Sequence, residues 1–197
     1  ILLVPKDTDT LLITPLIDAH LVEKNCPVDK IITWNDGVDN EWREELPKYI
    51  KKNVNVAIEK FKISTLVLNY ISSLYEQESL KNISPILDLI RMVKTEDELK
   101  IAKSAGKVAE AMMQAGKDAI GHNVPEYEVA LATSQAGTRK AAEILENEFK
   151  DTDISPLIHF LQIMASGKDL PKTHHRSSTK LIKDGEPVFL CFCGMTN

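Results

Sequence analysis

Apolar positions recur along this chain with two different spacings, and the change between them divides it. Up to about residue 88 short apolar runs alternate with polar turns. Ile1-Leu2-Leu3-Val4 and Thr10-Leu11-Leu12-Ile13-Thr14 flank the polar Pro5-Lys6-Asp7-Thr8-Asp9, the pattern of a hairpin. Leu16 to Lys24 fits a short helix, and Lys30-Ile31-Ile32-Thr33-Trp34 a strand stopped by Asn35-Asp36-Gly37. Glu41 to Lys52 has the charged, amphipathic pattern of a helix, Val54 to Glu59 alternates like a strand, and Ile63 to Gln77 reads as a helix despite its β-branched residues. Strands alternating with helices predict an α/β unit with a mixed or parallel sheet. His20 and Trp34 are expected to be surface and packing residues there.

A break is expected between Pro85 and Thr95. Ser84-Pro85 opens a short helix, with proline at its first position, where the ring's fixed φ suits the helix. Thr95 then caps a long helix and Glu98 closes a capping box. Leu99, Ala102, Ala105, Val108-Ala109 and Met112-Met113 follow at three- and four-residue steps as an apolar stripe, with the methionines as core fillers. Asn123 tolerates the left-handed turn that should follow. A second helix runs from about Glu126 to Asn147. Its alanines 130, 132, 136, 141 and 142 permit close packing. Leu157 to Ala165 returns to strand.

The most informative stretch runs from Met164 to Gly194. It reads as the end of one strand, a polar loop carrying His174, His175 and Arg176, and a second strand. The turn Lys183-Asp184-Gly185-Glu186 leads into that strand, with Pro187 where a missing N–H costs least. Val188-Phe189-Leu190-Cys191-Phe192-Cys193 is a short apolar run of the kind that predicts a strand buried on both faces. A histidine loop between two strands is a common way to mount a proton-transfer group on a rigid support.

These segments resemble the creatinase/prolidase/aminopeptidase P family, whose catalytic domain is called the pita-bread fold. In that family a Ser-Gly pair is followed, seven residues after its Gly, by a histidine, then by a Gly-Asp turn and a strand bearing a metal-binding Asp. Here Ser166-Gly167, His174, Gly185-Glu186 and Cys191 stand at those places. Ile90 to Leu99 is similar to the family's R-x-x-K-S/T-x-x-E stretch, and Val124 to Ala130 to its G-V-T-E-x-E-[LV]-A helix start, with Pro125 in place of the usual capping Thr. The resemblance implies an α/β (α+β) chain: a creatinase-like N-terminal domain over 1–88, then the N-terminal half of a pita-bread catalytic domain over 89–197. The chain opens on Ile1 in strand-like sequence, so the start of the first domain is expected upstream. The rest of the second is expected beyond Asn197, and this chain alone is expected to be inactive.

The resemblance also carries an implied chemistry. Metal-dependent members hold two divalent ions, such as Mn, Co or Zn, through two Asp, one His and two Glu, and those ions activate water. The first of these Asp belongs at Cys191, and a thiol suits hard, oxygen-preferring ions poorly. Creatinase lacks that Asp and works without metal; there the histidine matching His174 takes a proton from the attacking water and passes it to the leaving nitrogen. His174 is therefore the expected catalytic acid/base, since histidine titrates near neutrality. His175 and Arg176 are candidate substrate contacts, and no metal or other cofactor is expected. Cys191 and Cys193 lie on one strand face at i, i+2, where two cysteines are more often small hydrophobes than ligands. His122 and His159 are expected to be structural.

Composition narrows the alternatives without choosing among them. The 197 residues, 43% apolar, suffice for a real core, and a net charge of −5 without a basic stripe argues against nucleic acid as a partner. No apolar run reaches the roughly 18 residues of a membrane helix, and three cysteines without framework spacing suit a reducing, cytoplasmic setting. Three functions stay open. One is a metal-free, creatinase-like hydrolase of a C–N bond in a small amide or amidine. The others are a metal-dependent Xaa-Pro dipeptidase or aminopeptidase and a non-catalytic binding module on the same fold. The family resemblance implies a homodimer acting on a small molecule or dipeptide.

Overall fold

The computed structural model describes residues 1–35, 37, 41–51, 53–150, 154–157, 159–172 and 174–195, with the side chains of 159–162 and 193–195 left aside. The chain is of mixed α/β class and divides into two compact units, Ile1–Lys94 and Thr95–Asn197.

The first unit holds two small sheets. Strands β1 (Leu2–Leu3), β2 (Leu11–Pro15) and β3 (Lys30–Trp34) form one, with β1 antiparallel and β3 parallel to β2. The parallel step is bridged by helix α1 (Ala19–Asn25), as a crossover requires. Strands β4 (Val56–Ile58) and β5 (Leu80–Asn82) pair in parallel around helix α3 (Thr65–Leu74), which the Ser64 side chain caps by accepting from the Val67 N–H. Helix α2 (Trp42–Tyr49) drives Leu46 into the core beside Ile13 and Ile71, with Trp34 packed around them. Trp42 meets Tyr70 edge to face at 5.2 Å, the arrangement favoured by ring quadrupoles. Helix α4 (Ser84–Met92) lies wholly in this unit and starts, as its sequence predicts, with proline in its first turn. His20 is exposed.

The second unit is a helix pair laid on a two-stranded ribbon. Helix α5 (Glu96–Ala119) begins with the complete capping box between Thr95 and Glu98. Helix α6 (Glu126–Glu148) returns after a turn in which Asn123 takes a left-handed φ of +62°. Val108 and Met112 of α5 interlock with Ala141 and Ile144 of α6. Strands β6 (His159–Ser166) and β7 (Val188–Met195) pair antiparallel from His159↔Met195 to Ser166↔Val188. Alternation sends Val188, Leu190 and Phe192 toward the helices. The contact is tight: a Cβ on Gly116 would stand 2.4 Å from Leu190 Cδ2 and 2.8 Å from Thr133 Oγ1. On the opposite face of β7 Phe189 is 48% exposed. Among the described residues the expectation of a strand buried on both faces is therefore corrected at Phe189, since the helices pack against the face that carries Val188, Leu190 and Phe192.

Candidate active site

The loop between β6 and β7 carries the candidate chemistry, and its base is closed before the histidines are reached. Gly167 donates its N–H to the Pro187 carbonyl at 2.9 Å. Its φ is +53°, and a Cβ there would come within 2.5 Å of Glu186 Oε1, so both backbone and space call for glycine. The Lys180 ammonium donates to the Ser166 carbonyl and lies 3.7 Å from Asp169 Oδ2 and 3.6 Å from Glu186 Oε2. A second ammonium, that of Lys172, binds Asp169 and is the main influence holding its carboxyl below the usual carboxylate range.

The loop then pairs with the start of α6. Pro125 supplies no capping side chain, as its sequence predicts. The loss is made good from outside the helix: the Lys180 and Ser178 carbonyls accept the otherwise free N–H groups of Glu126 and Tyr127, at 3.0 and 3.1 Å. Asn123 and Ile182 extend the pairing, the Asn123 N–H donating to Ile182 at 2.8 Å and the Ile182 N–H to Val124 at 3.0 Å.

At the centre of this pairing is Glu126, which is wholly buried. Its Oε1 accepts from the Ser166 N–H and hydroxyl at 3.0 and 2.8 Å. Its Oε2 accepts from the Ser178 N–H and hydroxyl at 3.0 and 2.7 Å, and His175 Nε2 lies 3.2 Å from the same oxygen. Burial pushes this carboxyl up; the Ser178 and Ser166 hydroxyls, the Ser178 N–H and His175 outweigh it, and the net shift is downward. Glu126 is thus a buried anion that can only accept, so His175 Nε2 carries the hydrogen between them. Its place in the first turn of α6 favours the same charge. One side chain thereby ties together the end of β6, the histidine loop and the helix start.

The two histidines part company. His175 turns inward and its side chain is 17% exposed. His174 stays exposed with φ +65°, and no hydrogen-bond or ion-pair partner stands beside it among the described residues. Arg176 is exposed as well. Cys191 is half-buried and pairs with Ile163, on the ribbon face that points away from the helices. Cys193 and His159 have side chains outside the described set, and His122 Nδ1 lies 3.2 Å from Asp184 Oδ2 at an exposed position. Glu126 is the residue that sequence reasoning passed over. A Glu in a helix's first turn ordinarily reads as a solvated charge favoured by the dipole, and only its spacing from Ser166 and Ser178 in the fold gives it away.

A thiol stands at Cys191, where the resemblance implies an Asp, and a thiol is a poor ligand for hard, oxygen-preferring ions. No helix among the described residues is long and apolar enough to cross a membrane.

Comparison with known proteins places this architecture. Residues 1–93 match the Creatinase/Prolidase N-terminal domain. The fold of the chain is similar to that of the prolidase from Pyrococcus furiosus, with a TM-score of 0.75 and 20% identity over 96% of this chain and 52% of that one. It is similar in the same way to the X-Pro aminopeptidase from Thermotoga maritima MSB8, with a TM-score of 0.70 and 21% identity over 95% of this chain and 49% of that one. Among curated proteins it is 24% identical over 120 residues to an agropine synthesis cyclase of Rhizobium rhizogenes, covering 60% of this chain and 30% of that protein. The chain therefore spans about half the length of these solved structures and less than a third of the cyclase.

Proposed function

In a chain with a creatinase/prolidase N-terminal domain on the prolidase fold, we propose a hydrolase of a C–N bond in a small amide or amidine, with His174 as acid/base and no metal. One observation carries this reading. His174 is displayed outward in a left-handed conformation on a loop whose neighbouring histidine is fixed to a buried carboxylate. Strained backbone held by its surroundings is characteristic of functional positions. In the reaction His174 takes a proton from water as its oxygen bonds to the carbon. It then gives that proton to the nitrogen as the C–N bond breaks. The thiol at Cys191, where a carboxylate would hold a hard ion, supports the metal-free form over an Xaa-Pro peptidase. Likeness to a protein named for making agropine supports a small-molecule substrate over a peptide. The boundary near residue 88, the homodimer and the cytoplasmic setting belong to the same proposal.

The test is elemental analysis of the purified full-length protein, of which these residues are expected to be a part, together with assays on amide, amidine and Xaa-Pro substrates before and after chelation. The expected result is chelator-resistant cleavage of a small amide or amidine, lost in His174→Ala while the melting curve is kept. Stoichiometric Mn, Co or Zn with chelator-sensitive Xaa-Pro cleavage would replace this reading with the peptidase. Activity that survives His174→Ala would end the proposed mechanism.

A further inference from the structure

Adjacent histidines on one loop invite the question of why only one faces outward. Left-handed φ is uncommon for any residue but Gly, with Asn, Asp and His the side chains that adopt it most, so the +65° at His174 is open to the residue and needs holding by what flanks it. His175 is held twice: its N–H donates to the Lys172 carbonyl at 3.1 Å, closing a turn around residue 174, and its ring meets Glu126 at 3.2 Å. The carboxylate does not need that ring to be buried. Ser166 and Ser178 already give it two donors on each oxygen, which fills its ordinary accepting capacity. What the extra bond does is fix residue 175, and through it the direction of residue 174.

We propose that His175 is a positioning residue that, anchored on Glu126, locks His174 in its left-handed, outward-facing conformation. This rests on the reading of His174 as the acid/base. A glutamine can bring its side-chain nitrogen about as far as the His Nε2; an asparagine falls short by one methylene. The pair His175→Gln and His175→Asn therefore tests reach alone, with similar polarity and volume.

Two readouts decide it. In isotope-labelled protein, positive φ at residue 174 gives a strong nuclear Overhauser effect between its own amide and Hα, and this needs no substrate. Wild type and His175→Gln should keep that signal and His175→Asn should lose it. On the substrate found by the screen above, kcat should fall about tenfold to a hundredfold in His175→Asn, with KM nearly constant and the rate restored by Gln. Gly116→Ala, which strains the core without touching the loop, should leave both readouts at wild-type values. If His175→Asn keeps both the signal and the rate, or if Gln and Asn behave alike, the proposal is overturned. Should His174→Ala stay active instead, the catalytic reading falls, and the Overhauser comparison still decides whether His175 positions its neighbour.

Discussion

Replacing Glu126 by Gln changes one oxygen to an NH2 group and almost nothing else, which makes its cost calculable from the contacts. The carboxylate accepts from Ser166 on Oε1, and from Ser178 and His175 on Oε2. A hydroxyl can rotate to accept, but a backbone N–H cannot. Whichever oxygen is replaced, the N–H of Ser166 or of Ser178 then faces another donor in a site closed to water. An orphaned buried N–H costs about 1–3 kcal/mol, and losing charge assistance from the remaining bonds adds about 1 more. The expected destabilisation at pH 7 is therefore about 2–4 kcal/mol, read by urea denaturation. Its pH dependence has a definite sign. The Glu126 carboxyl titrates lower in the folded protein than its usual value, so the stability it contributes is complete above the unfolded carboxyl pKa of about 4.3. That contribution is lost as pH falls through the folded value. The gap between wild type and Glu126→Gln should shrink steadily below about pH 4. Equal stability at pH 7, or a gap that persists unchanged at pH 2, would refute the account of Glu126 as a buried, ionised hub.

Two further perturbations test the frame that carries this hub. Gly116→Ala places a methyl 2.4 Å from Leu190 Cδ2 and 2.8 Å from Thr133 Oγ1, and should destabilise by about 1–3 kcal/mol in thermal melts; a neutral result would mean that α5 and β7 are less tightly apposed than described. Thr95→Ala removes the side chain that accepts from the Glu98 N–H, and should cost about 1 kcal/mol by the same measurement, with Thr95→Ser restoring most of it.

How much of this was legible in the sequence depends on whether the determining contact was local. The capping box at Thr95 and Glu98, the left-handed Asn123 and the proline start of α4 each depend on a few neighbouring residues, and each is found where the pattern puts it. Helix α6 ends at Glu148, within a residue of its expected limit. Strand β5 escaped notice: three residues, Leu80 to Asn82, are too few for alternation to register, and only pairing with β4 makes them a strand. Pro125 in place of a capping Thr describes the side chain correctly and the helix start incompletely, since the carbonyls that serve α6 come from residues 178 and 180. The same non-local step separates His174 from His175. Nothing in the dipeptide says which ring turns inward; Glu126, nearly 50 residues earlier, decides it.

That distance has a consequence for where chemistry can reside in this unit. A loop carrying two histidines would ordinarily wander, because loops bury little and their backbone is solvated. Here the loop is fastened at its base by Gly167 and Pro187, along one side by pairing with residues 123–127, and in its middle by Glu126. The anchored groups face inward, while His174 and Arg176 stay exposed. Cys191, by contrast, sits mid-strand, half-buried, and held by ladder pairing to Ile163. A proton carrier needs to reach a substrate while keeping a fixed bearing, and the anchoring of this loop supports the proposal that residue 174 does so.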